Sequence, residues 1–125
     1  MAINNIDKVL DELYDARVNI RLLYNSASIT SLMVLEDKIR QIISNQFKKC
    51  DISIDISNYN ISIELADNNL ISEKKKSSIF APVDQELRSF ILSHTSDNQL
   101  INYVQSFDNN IVDFFSVGNS IKFIL

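Results

Sequence analysis

The residues of this chain best placed to do chemistry are carboxylates. In DISIDISNYNISIELAD, residues 51–67, Asp51, Asp55 and Glu64 fall on the polar side of two alternating runs. Two carboxylates held side by side on a strand pair could bind a hard cation or divide the roles of acid and base. Alternation of this kind is also what the wet side of a half-buried hairpin presents. We therefore expect a solvated acidic face that serves recognition rather than catalysis. Asp7, Asp11 and Asp15 recur every fourth residue, which on a helix makes an acidic stripe. Each like-charged pair at that spacing costs only about 0.2–0.5 kcal/mol. A wet face tolerates that cost, and the stripe is a second candidate docking surface for a basic partner.

The remaining reactive types are sparse. His94 is the single histidine, so a histidine-rich metal site is excluded, and we expect a residue packed or exposed at a helix end. Cys50 is also alone, which rules out an intramolecular disulfide. It follows Phe47-Lys48-Lys49, whose cations favour a thiolate, but a preceding helix C-terminus opposes this, and we expect an inert thiol. Lys74-Lys75-Lys76 lacks interleaved aromatics and reads as a solvated loop. Arg17 and Arg21, one helical turn apart, could grip an anion, or could engage Asp11, Glu12, Asp15 and Asn25 nearby. With one glycine in the chain, Gly118, no glycine-rich phosphate cradle exists. These counts point to no catalytic residue, no metal and no cofactor.

The elements that must position these groups follow from periodicity. Ile6, Val9, Leu13, Ala16, Ile20 and Leu23 form one helical seam, widened by Leu10, Tyr14 and Leu22, with Asn4 or Asn5 as the cap. A second seam, Leu32, Leu35, Ile39 and Ile42, is flanked by Ile29, Met33, Ile43 and Phe47 and is out of phase with the first. A polar break at 25–28 separates them, which favours an αα-hairpin over one long helix. The first β-hairpin pairs Ile56 with Ile61, Ile54 with Ile63 and Ile52 with Leu65, placing all six on one face. Residues 66–78 read as a loop, and 81–94 as a helix with Pro82 in its first turn and Val83, Leu87, Phe90 and Ile91 inward. Ser96 or Asp97 caps a short helix carrying Leu100, Ile101, Val104 and Phe107. Asp108-Asn109-Asn110 turns into a second hairpin, closed by Gly118-Asn119. Phe114 then pairs with Phe123 and Val112 with Leu125. The opposite side of that hairpin, Phe115, Val117 and Ile124 beside Asp113 and Lys122, is apolar too. It is either covered or an oligomer interface.

The expected fold class is α+β: an N-terminal αα-hairpin, two β-hairpins forming one antiparallel sheet, and additional helices between them. The order αα-ββ-αα-ββ has the form of a repeat, although the halves do not align residue by residue. At 125 residues the chain suits a single domain, 1–125, and its 46% hydrophobic share suits a globular one. A net charge of −4 argues against nucleic acid as the main partner and for a basic protein. No run is long or apolar enough to span a membrane, and the N-terminus lacks a signal-peptide layout, so we expect a cytoplasmic protein. Abundant isoleucine, asparagine and serine suggest an AT-rich gene of the kind common in mobile elements. The leading expectation is a small acidic, non-enzymatic protein-binding module. It would act as an inhibitor, such as an immunity protein or an antagonist of a defence or toxin protein, by steric and electrostatic occlusion. Its alternatives are an oligomeric structural or assembly protein, a secretion chaperone among them, and a small-ligand binder with its pocket between protomers.

Overall fold

The computed structural model describes residues 2–47, 49–65, 73–106 and 111–125, with side chains described over 14–47, 49–65, 78–106 and 111–125. The chain opens with α1 (Ala2–Ser26) and α2 (Ile29–Gln46). Helix α1 begins ahead of Asn4 and Asn5, so neither is its cap. The break expected at 25–28 falls at Ala27-Ser28. Ser28 leaves helical geometry and its hydroxyl accepts the Ser31 N–H at 3.1 Å, satisfying a donor that the first turn of α2 leaves free. The two seams therefore belong to separate helices, the N-terminal αα-hairpin.

Of the first seam, Ala16 and Ile20 are buried and Leu23 partly so; Ile6, Val9, Leu10 and Leu13 lie outside the described side chains. Tyr24 completes the buried stripe one turn beyond Ile20, while Tyr14 and Leu22 face solvent. On α2 and its C-cap the deepest residues are Leu35, Ile39, Ile43 and Phe47, at uniform steps of four, and Ile29 and Met33 are exposed.

Strands β1 (Cys50–Asp55) and β2 (Asn60–Leu65) form the first hairpin, with a 3-10 turn over Ile56–Asn58 between them. Its register departs from the expected one. Ile54 faces Ile61, Ile52 faces Ile63 and Cys50 faces Leu65, a shift of two residues on β1. Because side chains alternate with period two, such a shift leaves every isoleucine on the core face. Asp55 selects the observed register. Its carboxylate accepts from the Ser57 hydroxyl, the Asn58 amide and the Asn58 side chain, which winds Ile56 into the turn instead of extending the strand. Tyr59 then reverses the chain in the left-handed region at φ 59°.

Helix α3 (Glu73–His94) is longer than expected, since residues 73–78 are helical rather than loop. Pro82 accordingly sits in the helix interior, not its first turn, and supplies no N–H to the turn before it. The helix continues because Ile79, Val83, Leu87 and Ile91 repeat every four residues and are all fully buried. Burial of Ile79 and Phe80 upstream of the proline outweighs a local penalty of about 3 kcal/mol. Helix α4 (Asn98–Ser106) is capped by Asp97, whose carboxylate accepts the Gln99 N–H at 2.9 Å. Leu100 and Val104 are its buried residues; Phe107 and the Asp108-Asn109-Asn110 turn lie outside the described residues.

Strands β3 (Asp113–Val117) and β4 (Ser120–Ile124) close through the two-residue turn Gly118-Asn119. Gly118 takes φ +59° while Asn119 does not, the pattern of a type II′ hairpin turn. Phe114 faces Phe123 as expected; Val112, paired with Leu125 in the sequence reading, is buried just ahead of the strand. The hairpins join along β2 and β4, giving one antiparallel sheet in the order β1-β2-β4-β3. Each αα-ββ half thus places its second strand at the centre and its first at an edge. Helices cover one face, where Ile61, Ile63, Ile121 and Phe123 are completely buried. Among the described residues no helix is long and apolar enough to cross a membrane.

Candidate functional site

The opposite face of the sheet is open, and its composition follows from the register. Three rows of side chains cross the four strands: Asp51, Glu64, Ser120 and Val117; Ser53, Ser62, Lys122 and Phe115; Asp55, Asn60, Ile124 and Asp113. No element among the described residues packs over them. Phe115 is 52% exposed and Val117 81%, with Asp51, Ser53, Asp55, Glu64, Ser120 and Lys122 also exposed. The face is therefore divided, acidic and hydroxylic over β1 and β2, apolar over β3 with Lys122 at the seam.

The candidate carboxylates do not form one cluster. The two-residue shift puts Asp51, not Asp55, beside Glu64, directly across the strand pair. Like charges so placed repel, a weak local cost that solvent exposure keeps small. Asp55 lies at the far end of β1 and is committed to the turn. Hydrogen bonds from Asn58 and Ser57 hold its carboxyl below the usual carboxylate range. On α1, Asp15 is exposed beside a groove of about 460 Å³ between α1 and α4, lined also by Asn19, Gln99, Asn102 and Tyr103. Asp7 and Asp11 lie outside the described side chains. No group of three or more histidine, cysteine or acidic residues is placed to hold a metal among the described residues.

The arginines find long-range partners instead of a ligand. Arg17 donates through both terminal nitrogens to the Asp113 carboxylate, at 3.2 and 3.1 Å. Arg21 donates to the Leu125 carbonyl at 3.2 Å and lies over the Tyr59 ring, 4.5 Å from its centre. Asn25 donates to the Tyr59 hydroxyl at 2.7 Å. Together these bonds fasten α1 across one end of the sheet and hold the Tyr59 side chain. Arg17 thus reaches only the Asp113 corner of the open face, and both arginines are used internally.

The isolated reactive residues are similarly occupied. His94 lies against the Phe90 ring, centroids 4.0 Å apart, with Nδ1 2.8 Å from the Phe90 carbonyl, so it closes the C-terminal turn of α3. It borders a groove of about 390 Å³ between α2 and α3 that Lys38 and Glu86 also line. Burial raises the Cys50 thiol pKa, the Asp51 carboxylate raises it further, and the thiol leans on the Phe47 carbonyl. That is the opposite of an activated nucleophile. Lys74, Lys75 and Lys76 belong to the first turn of α3 rather than a loop.

The best-organised polar cluster was not singled out by sequence. Asp84, buried on α3, pairs with Arg88 at 2.8 Å and accepts the Ile111 N–H at 3.0 Å; Arg88 donates to the Val104 carbonyl at 2.7 Å. The i,i+4 spacing of Asp84 and Arg88 is visible in VDQELR, but their remote backbone partners are not. Every group in this cluster is used internally, which marks it as a fastening of α3, α4 and the entry to β3. No protein-family model, curated protein or solved structure matches this chain.

Proposed function

We propose that this chain is a non-enzymatic protein-binding module whose docking surface is the open face of the sheet. The observation that supports it is that face itself, with Asp51 and Glu64 on one half and exposed Phe115 and Val117 on the other. An apolar patch with Asp51 and Glu64 across the face from it, and Lys122 alone between, suits a partner that is basic around an apolar anchor. Binding there would inhibit by occlusion, as an immunity protein or an antagonist of a defence or toxin protein does. Asp15, with Asp7 and Asp11 on the same helix, offers a second acidic contact.

The test is capture from host extract with tagged wild type and with the Asp51→Lys/Glu64→Lys double variant. The swap replaces one like-charged pair by another, so stability is preserved while the sign reverses. Proteins retained by wild type should be lost from the variant, and their retention should weaken with salt. Equal, salt-insensitive retention by both chains would remove the acidic half from the epitope.

An oligomeric assembly protein is the second reading, and exposed Phe115 and Val117, together with Tyr14, Val18 and Leu22 at steps of four on α1, favour it.

A further inference from the structure

The two edges of the sheet end differently. In an antiparallel ladder, residues alternate between directing their backbone groups at the neighbouring strand and away from it. The two-residue turn makes Val117 and Ser120 a hydrogen-bonded pair, so Asp113, Phe115 and Val117 face β4. The N–H and C=O groups of Phe114 and Ser116 therefore point outward. The same alternation, carried through β4 and β2, sends those of Cys50, Ile52 and Ile54 outward from β1. Arg40 of α2 confirms the direction: it donates to the Ile52 carbonyl at 3.2 Å and so blocks that edge.

Among the described residues nothing equivalent protects β3. The helix in the corresponding place, α4, has 9 residues against 18 in α2. No backbone hydrogen bond among the described residues reaches the outward groups of Phe114 or Ser116. The Ser116 hydroxyl on the same strand is buried without a partner among the described residues. Exposed edges are ordinarily guarded by lysine, proline or a bulge, and β3 carries none of these. Its one charge, Asp113, is engaged by Arg17.

We propose that β3 is completed by β3 of a second copy of this chain, the two strands running antiparallel about a two-fold axis at Phe115. The placement of the free groups selects this occupant. Phe114 and Ser116 flank Phe115 symmetrically, so Phe114 of each copy pairs with Ser116 of the other and all eight outward groups are satisfied. Phe115 meets its counterpart in a non-hydrogen-bonded pair, where strands approach to about 4.5 Å between Cα atoms. Its exposed ring packs side by side with its counterpart on the open face, whose outer surface stays accessible. Val117 lies opposite Asp113, so no like charges face each other across the axis. Two four-stranded sheets become one continuous sheet, and the acidic half of each open face stays free.

The full-length chain is examined by sedimentation equilibrium across concentration, with amide exchange followed by NMR. A reversible dimer is expected, and the Phe114 and Ser116 amides should slow as concentration rises, while Phe115, bonded to β4, is protected throughout. Phe115→Lys places two cations face to face and should weaken the dimer at least about tenfold. Its side chain is solvent-facing in the single chain, so folding is retained. Ser116→Pro removes an outward N–H without touching the β3–β4 ladder and should do the same; if it misfolds, Phe115→Lys alone decides. A chain that stays monomeric overturns the proposal. So does a dimer that survives Phe115→Lys with both amides unprotected, or protection that appears only when another protein's segment is added. A monomeric chain that still captures partners through Asp51 and Glu64 would sink this inference and leave the proposed function standing.

Discussion

Tyr24 shows how a single buried side chain ties stability to pH. It is 1% exposed, and burial, reinforced by the Asp84 charge, pushes its phenol far above the ordinary value near 10. The neutral form is thus favoured in the fold, and its contribution is fully present below about pH 10. Above that, the unfolded chain releases the proton first, so stability should fall by up to about 1.4 kcal/mol per pH unit. Urea unfolding of wild type and Tyr24→Phe between pH 8 and 11 checks this. The variant should lose less of its stability on the alkaline side, and parallel curves would refute the assignment. Sequence pattern placed Ala16 and Ile20 in the core correctly but passed over Tyr24, because a polar tip obscures an apolar ring one turn along the same stripe. Arg17 and Arg21 were legible as a pair, yet their partners, Asp113 and Leu125, are separated from them by most of the chain. No local spacing reveals such partners.

At the scale of elements, the Asp84–Arg88 pair joins α3 to the end of α4 and to the backbone leading into β3. Removing Arg88 leaves the buried Asp84 carboxylate without its ion-pair partner. Arg88→Ala should therefore cost about 3–5 kcal/mol in chemical denaturation. A loss below about 1 kcal/mol would show that water replaces the guanidinium. The elements themselves were mostly readable: two helical seams, two alternating runs and a Gly-Asn turn have distinct periods. Two features were not. Hydrophobic alternation is indifferent to a slip of two residues, so the register of the first hairpin was set by the Asp55 turn rather than by its isoleucines. The start of α3 was obscured by EKKKSS, a polar run that reads as loop until Ile79 is known to be buried and Phe80 to pack on Phe114 and Phe123 of the sheet.

For the molecule as a whole, the decisive contact is the β2–β4 seam, which joins strands separated by about half the chain. Both hairpins and the α2–α3 packing involve shorter separations, so closing the seam costs more loop entropy than any of these. Ile63→Val and Ile121→Val, at fully buried seam positions, should each lose about 0.5–1.5 kcal/mol. That loss should appear mainly as slower refolding in stopped-flow measurements. If it appears only as faster unfolding, the seam forms after the barrier.

The divided open face also bears on how the chain behaves in a crowd. An uncovered β-surface with Phe115 and Val117 on it invites sheets to stack, and the carboxylates beside them act as gatekeepers against that. Their protection is a matter of ionisation. The chain carries −4 near neutrality and none near its isoelectric point of about 4.8. Acidification toward that point strips away the mutual repulsion that keeps neighbouring molecules apart, while the apolar half is unchanged. The same row of acids that offers a docking charge to a partner is thus also the chain's colloidal defence.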